Sequence, residues 1–248
     1  MQKVALVTGA AAGIGRACSV RLAKDGHAVG VLDLDEARCA DTVNEITAAG
    51  GKAMALGADV SNRAQVHAAV AKLRSALGPI TILINNAGMA EFLPFEEITD
   101  ALWDRMFAVN VRGTFIVTQE VLPDMKAAKW GRIVNISSSS AQTGTKVQVH
   151  YSASKGAIVS MTRSLAEALG PFGITVNNVP PGSVMGTIMS EENRNRFPIP
   201  IEQLIASMPV RRLGVPEDIA NACAWLVKDE TGYVTGQTIG VNGGRVVT

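Results

Sequence analysis

Excess charge of either sign is missing from this 248-residue chain: 23 basic and 22 acidic side chains leave a formal net charge of +1. That balance offers nothing to nucleic acid or to an anionic membrane. Cysteine is scarce. Cys18, Cys39 and Cys223 are odd in number and far apart, with no Cys-x-x-Cys and no Cys/His cluster. Neither a disulfide framework nor a zinc site is indicated, and no metal is expected. No apolar run reaches the roughly 20 residues that span a bilayer. The chain enters Val4-Ala5-Leu6-Val7-Thr8 almost at once, which predicts a first core strand and leaves no room for a secretory leader. Internal repeats, low-complexity tracts and linkers are absent as well. The expectation is a soluble, cytoplasmic protein built as one domain over residues 1–248.

What is present is apolar and regularly spaced. Hydrophobic residues make up 47% of the chain, enough to cover a sheet on both faces. Short apolar runs predict strands at Val4–Thr8, His27–Leu32, Lys52–Gly57, Ile80–Ile84, Arg132–Ile136, Ile174–Val179 and Thr238–Val241. Between them, amphipathic stretches predict helices at Ile14–Lys24, Glu36–Ala49, Asn62–Leu77, Asp100–Ala128, Val149–Leu169 and Glu217–Val227. Strands that are apolar throughout and alternate with helices imply an α/β, doubly wound parallel sheet with helices on both faces. The segment 183–208 breaks the pattern. It carries Pro198 and Pro200, with Pro209 just beyond it, many apolar residues and little periodicity, as expected of a substrate lid.

Gly9, Gly13 and Gly15 fall in the turn between the first strand and first helix. Glycine there brings backbone N–H groups close to a pyrophosphate, and the helix N-terminus adds partial positive charge. The spacing is Gly-x-x-x-Gly-x-Gly rather than the general dinucleotide fingerprint. Asp33 ends the second strand, 20 residues after Gly13, where an acidic side chain accepts from the ribose hydroxyls of an adenosine. A 2′-phosphate would meet like charge there. Ala12 stands before Gly13 and Leu34 after Asp33, and neither is basic. These positions favour NAD (NADH) over NADP. Asp59-Val60, at the end of the third strand, are placed to touch the adenine edge.

Tyr151 and Lys155 are spaced i, i+4 on one helix face. A free tyrosine titrates near 10, too high for base work near neutrality, whereas an adjacent ammonium and a positive nicotinamide ring both favour the phenolate. Ser138 follows the strand Arg132–Ile136 at its carboxyl end, where open α/β sheets place ligands. It is chosen from Ser137–Ser140 by its offset from Tyr151. His150 points to another side of the helix and is expected at the surface or a pocket rim. The pocket is expected to draw on Phe92, Leu93, Gln142, Thr143, Val147, Met185 and Met189. These suit a medium-sized, largely apolar ketone or secondary alcohol, with no arginine placed to clamp a carboxylate.

With these stretches in place, and with Asn85–Gly88, Asn110, Asn177–Gly182 and Gly236–Gly244, the whole chain resembles the short-chain dehydrogenase/reductase family. The resemblance implies a Ser-Tyr-Lys-Asn catalytic set, here Ser138, Tyr151, Lys155 and Asn110. Asn110 would hold a water beside Lys155; from the sequence it reads equally as an interior helix polar residue. The resemblance also implies that Ile14 joins the glycine turn at the cofactor, that Asn86, Ala87 and Gly88 lie against adenosine and ribose, and that Pro181, Gly182 and the Val184 backbone lie beside the nicotinamide. Thr187 stands later after Pro181-Gly182 than the family's threonine and is not assigned. A homotetramer is implied, with 100–128 and 149–169 pairing into bundles and 236–248 joining a second interface.

Within the family the chain resembles the branch holding 3-oxoacyl-carrier-protein reductases. Asp33 argues against that activity, and Phe172 stands where a basic docking residue is expected, although Lys129 fits. The preferred reading is NAD-linked interconversion of a secondary alcohol and a ketone. The alternatives are a 3-oxoacyl-[acyl-carrier-protein] or 3-oxoacyl-CoA reductase and, more remotely, a non-catalytic dinucleotide-binding protein.

Overall fold

The computed structural model describes residues 2–187, 190–191 and 200–247. Six strands form one parallel sheet: β1 (Val4–Thr8), β2 (Ala28–Asp33), β3 (Lys52–Gly57), β4 (Ile80–Asn85), β5 (Gly131–Ile136) and β6 (Ile174–Val179), in the order β3-β2-β1-β4-β5-β6. The register runs Val4↔Ala28 through Thr8↔Leu32 on one side of β1, and Ala5↔Ile82 through Val7↔Ile84 on the other. Strands β1, β4, β5 and β6 are buried along their whole length, as strands covered on both faces are, although Arg132 and Asn135 in β5 and Asn177 and Asn178 in β6 are buried polar residues within them.

Successive side chains of a strand point to opposite faces, and the two faces build separate cores. Leu6, Leu32, Leu83, Ile133 and Val176 meet α3 (Arg63–Leu77), α5 (Gly113–Ala128) and α7 (Val149–Leu169) on one side. Ala5, Val7, Val31, Ile84 and Val134 meet α1 (Gly13–Lys24), α2 (Ala40–Ala48) and α9 (Pro216–Leu226) on the other. A fully buried leucine or isoleucine contributes about 1.5–3 kcal/mol, so both faces must be covered for the sheet to stand. The sheet's winding reverses at β1, between β2 and β4. The crevice at the carboxyl ends of β1 and β4 is therefore the place for a ligand.

Three elements differ from expectation. The helix predicted over 100–128 is α4 (Asp100–Phe107), then a π-turn (Ala108–Arg112), then α5. The helix predicted from Glu36 opens as a 3₁₀ turn, Glu36–Cys39, before α2. The strand predicted at Thr238–Val241 appears only as isolated bridges, Asn178↔Thr238 and Pro181↔Val241. Backbone bonds still join this segment to β6, from Gly236 N to Val176 O at 2.8 Å, Asn178 N to Gln237 O at 2.9 Å and Ile239 N to Asn178 O at 2.8 Å, and side chains add to them. Thr235 Oγ1 accepts from Val176 N at 3.1 Å, Asn177 Nδ2 donates to Val234 O at 2.7 Å, and Asn177 Oδ1 accepts from Gln237 N at 3.1 Å.

The 183–208 segment also holds order the sequence did not announce. Val184 bridges Gly214, and a helix, α8 (Ile201–Ser207), follows Pro200. Met189, expected in the pocket, lies outside the described residues, as do Ile188, Arg194, Arg196 and Phe197. No helix among the described residues is long and apolar enough to cross a membrane.

Candidate active site

The loop from β1 to α1 is held closed by its own residues. Gly9 and Gly13 adopt φ of +62° and +54°, which side chains resist. Gly15 is required for a different reason: a Cβ on it would stand 2.1 Å from Gly9 O and 2.7 Å from Asn86 Nδ2. Asn86 Nδ2 donates to Thr8 O and Gly9 O, both at 3.0 Å, while Thr8 Oγ1 accepts from Asn86 N and Ala87 N, also at 3.0 Å. The Asn86 amide thus ties β4 to the glycine loop. Its side chain is turned to the loop, while Asn86 lines the cleft beside Ala87 and Gly88.

The N-cap of the twelve-residue helix α1 is Ala12, whose side chain offers no hydrogen bond. The first-turn N–H groups therefore keep their donor capacity, and the helix dipole adds to it. A pyrophosphate suits that end, so the residues present fit a dinucleotide. Gly9, Gly13, Ile14, Asp33, Asp59, Val60, Asn86, Ala87 and Gly88 line one cleft of about 420 Å³. Thr187 lines it too, against Gly13, so its late position in the sequence does not keep it from the cleft.

Asp33 anchors the far end. Its Oδ2 accepts from Ala11 N at 3.1 Å and its Oδ1 from Leu34 N at 2.9 Å. Arg38, from the 3₁₀ turn, brings Nη1 to 3.4 Å from Oδ1. No basic residue flanks Asp33 in the sequence; the fold delivers one from five positions on. Asp59 Oδ1 accepts from Ser61 N and Ser61 Oγ at 2.8 and 2.7 Å.

At its other end the cleft reaches Gly88, beside Lys155: a Cβ on Gly88 would meet Asn110 Oδ1 at 3.1 Å and Lys155 Nζ at 3.2 Å. Here the expected set converges from three elements. Lys155 Nζ, buried on α7, donates to Ile136 O at 2.9 Å and lies 5.7 Å from the Tyr151 ring centre. Ser138, just past β5, lies beside the Tyr151 hydroxyl and favours its ionised form. Ser138 Oγ also accepts from Ser140 Oγ at 2.9 Å. Asn110 arrives on the π-turn, a helix irregularity that recurs at functional sites. Its Oδ1 accepts from Met89 N at 2.8 Å, and its Nδ2 donates to Met89 O at 3.0 Å and to Ser154 Oγ at 2.9 Å. Thr114 Oγ1 donates to the Asn110 carbonyl at 2.9 Å, holding the irregular turn.

Pro181 and Gly182 leave the end of β6, and Val184 follows. The bridge to Gly214 engages Ser183 O and Met185 N, at 2.9 Å each. Val184's own N–H and C=O take no part in it, which leaves them suited to a carboxamide.

Two expectations are corrected. Tyr151 was expected to be brought down by Lys155. Burial instead pushes the phenol up to about 12, with Ser138 opposing, and pushes the Lys155 ammonium down to about 8. The ammonium faces the ring and Ile136 O, so desolvation outweighs it. His150 was expected at a surface or rim. It is fully buried, with no hydrogen-bond partner on either ring nitrogen, and burial lowers its pKa while Glu91 partly offsets this. It shares a helix side with Ser154, four residues on, toward the π-turn.

Of the pocket residues, Phe92, Leu93, Val147 and Met185 are half-buried. Leu93 N donates to Val147 O at 2.9 Å, joining the two pocket segments. Gln142 and Thr143 are exposed at the end of a short helix, α6 (Ser140–Thr143).

A parallel sheet with its winding reversed at β1, a glycine loop and a Ser-Tyr-Lys group at the ends of adjoining strands define a dinucleotide-linked oxidoreductase fold. The profile of the short chain dehydrogenase family matches residues 3–197, and the chain belongs to that family. It is 41% identical to a (2S)-[(R)-hydroxy(phenyl)methyl]succinyl-CoA dehydrogenase subunit of Thauera aromatica, over 98% of this chain and 96% of that protein. It is 37% identical to an acetoacetyl-CoA reductase of Cupriavidus necator, over 98% of each chain. A 3-oxoacyl-[acyl-carrier-protein] reductase of Staphylococcus aureus is 36% identical, again over 98% of each.

Proposed function

We propose that this protein interconverts a secondary alcohol and a ketone with NAD(H), with Tyr151 as the general acid/base. The observation that carries the reading is the convergence of Ser138, Tyr151 and Lys155 at the end of a cleft whose other end is Asp33. When bound, the nicotinamide supplies or accepts the hydride. Ser138 donates to the substrate oxygen and orients it. The Tyr151 hydroxyl gives its proton to that oxygen during reduction and takes it back during oxidation. Lys155, charged below its pKa of about 8, favours the phenolate and is placed to hold the nicotinamide ribose. Asn110 positions the Met89 strand-end segment against this group. Pro181, Gly182 and Val184 hold the nicotinamide side, and Phe92, Leu93, Val147 and Met185 supply an apolar pocket. A homotetramer belongs to the same reading. The exposed Phe115 on α5 and Trp103 on α4 offer an apolar face for it, and light scattering after gel filtration checks it.

A second reading is reduction of a 3-oxoacyl thioester. The names of the relatives favour it, and so does Lys126, which lies 4.4 Å over the exposed Phe172 ring and puts a cation where docking needs one. Initial rates on aromatic and cyclic ketones and on acyl thioesters, each with NADH and NADPH, decide between the two. NADH-dependent turnover of simple ketones supports the first. Turnover of thioesters alone, with NADPH, overturns it. Tyr151→Phe is expected to lower kcat by roughly 10²- to 10⁴-fold and leave the cofactor Kd within about threefold. Retained turnover would refute the role of the phenol.

A further inference from the structure

We propose that Ser140 is a positioning residue that fixes which way the Ser138 hydroxyl points, so that Ser138 gives its proton toward the Tyr151 and substrate oxygens and does not take the proton that Tyr151 must transfer. This rests on the reading of Tyr151 as the general acid/base and deepens it.

A serine hydroxyl has one proton to donate and two lone pairs that accept. At Ser138 both lone pairs are taken by one neighbour. Ser140 N donates to Ser138 Oγ at 3.2 Å, and Ser140 Oγ donates to it at 2.9 Å. The capacity left on Ser138 Oγ is its own proton, and the Tyr151 hydroxyl lies beside it. A Ser138 that can only donate favours the phenolate over the phenol. That is the sense in which it opposes the effect of burial on Tyr151.

The backbone holds the two serines in register. Ser137 N donates to Val179 O at 3.2 Å, Ser139 N to Pro181 O at 3.0 Å, and Ala141 N to Ser138 O at 3.1 Å. Ser140 is buried at the start of α6, and Ser138 Oγ is the one acceptor for its hydroxyl among the described residues. If the pair reversed and Ser138 donated, the buried Ser140 proton would be left without an acceptor. The order of donation is therefore set from Ser140 outward.

Without the Ser140 hydroxyl, one lone pair of Ser138 is free. Ser138 can then accept from Tyr151. That contact stabilises the neutral phenol and competes with the substrate oxygen for the proton that reduction delivers. In oxidation it makes Tyr151 a poorer base.

The chain has two tyrosines, and Tyr233 is fully exposed. In a Tyr233→Phe background, magnetic resonance of isotope-labelled tyrosine follows Tyr151 alone and needs no turnover. Ser140→Ala removes one oxygen and keeps the residue's N–H bond to Ser138. It is expected to raise the Tyr151 titration by about half a unit to one unit, with and without NAD⁺. Oxidation of cyclohexanol with NAD⁺ should lose roughly 3- to 10-fold in kcat, with KM changed by less than about twofold and the rising limb of the pH profile displaced upward by the same amount as the titration. Ser140→Thr, which keeps the hydroxyl, should restore the titration and the limb. A Tyr151 titration unmoved in Ser140→Ala overturns the proposal, whatever happens to kcat. A titration that moves as far in Ser140→Thr as in Ser140→Ala assigns the effect to packing and overturns it too. If Tyr151→Phe turns over like wild type, the phenol reading itself fails and Ser140 falls with it. If Tyr151→Phe is inactive and Ser140→Ala titrates like wild type, Ser140 alone fails.

Discussion

Replacing Asn110 by alanine separates its architectural work from its chemistry. Asn110 Oδ1 and Nδ2 bond both the N–H and the C=O of Met89, at 2.8 and 3.0 Å, in a partly buried segment. The third contact, Ser154 Oγ, is less exposed to loss, because Ser154 also donates to Tyr151 O at 2.7 Å. Asn110→Ala therefore strands two backbone groups. Each costs about 1–3 kcal/mol when buried, and the low end applies to a partly buried segment. The sum is roughly 2–4 kcal/mol, and a chain of this size loses about 2–4 °C of Tm per kcal/mol. The expected fall is roughly 5–15 °C, read by calorimetry or by near-ultraviolet circular dichroism on heating. Asn110→Asp should fall further at pH 7, because a carboxylate cannot donate to Met89 O and meets it as a second acceptor. Tyr151→Phe, in the same assay, should shift Tm by less than about 2 °C, since its hydroxyl holds no backbone group. An Asn110→Ala variant melting within a degree of wild type would refute the hydrogen-bond accounting.

The remaining predictions concern the loop, the buried imidazole and the pH profile. Gly15→Ala drives a methyl into Gly9 O; overpacking of this kind costs about 1–3 kcal/mol, and dinucleotide affinity measured by titration should fall by about tenfold or more as the loop is forced open. His150 has a folded-state pKa below its ordinary value, so the unfolded chain binds the extra proton first. Stability is then full above about pH 6.5 and falls as the pH drops from there through the folded pKa. His150→Leu should flatten the Tm slope below pH 6.5, and parallel slopes in wild type and variant would contradict this. Alcohol oxidation, which needs the Tyr151 phenolate, should rise with pH by up to about tenfold per unit. Ketone reduction should decline above pH 8 as Lys155 deprotonates; flat profiles in both directions would exclude the phenol.

The sheet was legible because its strands are buried on both faces, so apolar residues dominate β1 and β4, and Ile133, Val134 and Ile136 or Ile174, Val176 and Val179 still mark β5 and β6 around their buried polar residues. The meeting of Tyr151 and Lys155 was legible because i, i+4 spacing survives any helix packing. What escaped depends on irregular backbone or on partners distant in the chain. A π-turn shifts the apolar period by a single residue, too little to see between 100 and 128. Arg38 reaches Asp33 through a 3₁₀ turn with no periodicity to extrapolate. The burial of His150 is set by how the start of α7 packs, which its place in the sequence does not encode, and no hydrogen-bond partner signals it. The segment beside β6 is tied down partly through Asn177 and Thr235 side chains, which apolar alternation does not encode.

The π-turn carries one residue more than a regular helix needs. Removing a single residue near Val109 would let the stretch from Asp100 to Ala128 close into one unbroken helix. The backbone bonding would become regular. Everything on one side of the cut would also turn by about 100°, the arc of one residue at 3.6 per turn, and position 110 would swing away from Met89 and Ser154. The shortest mutational step toward a more regular helix is thus the step that dismantles the site. A deletion scan across 107–112 should return variants that stay folded and lose turnover, whereas single substitutions in the same window need not separate the two.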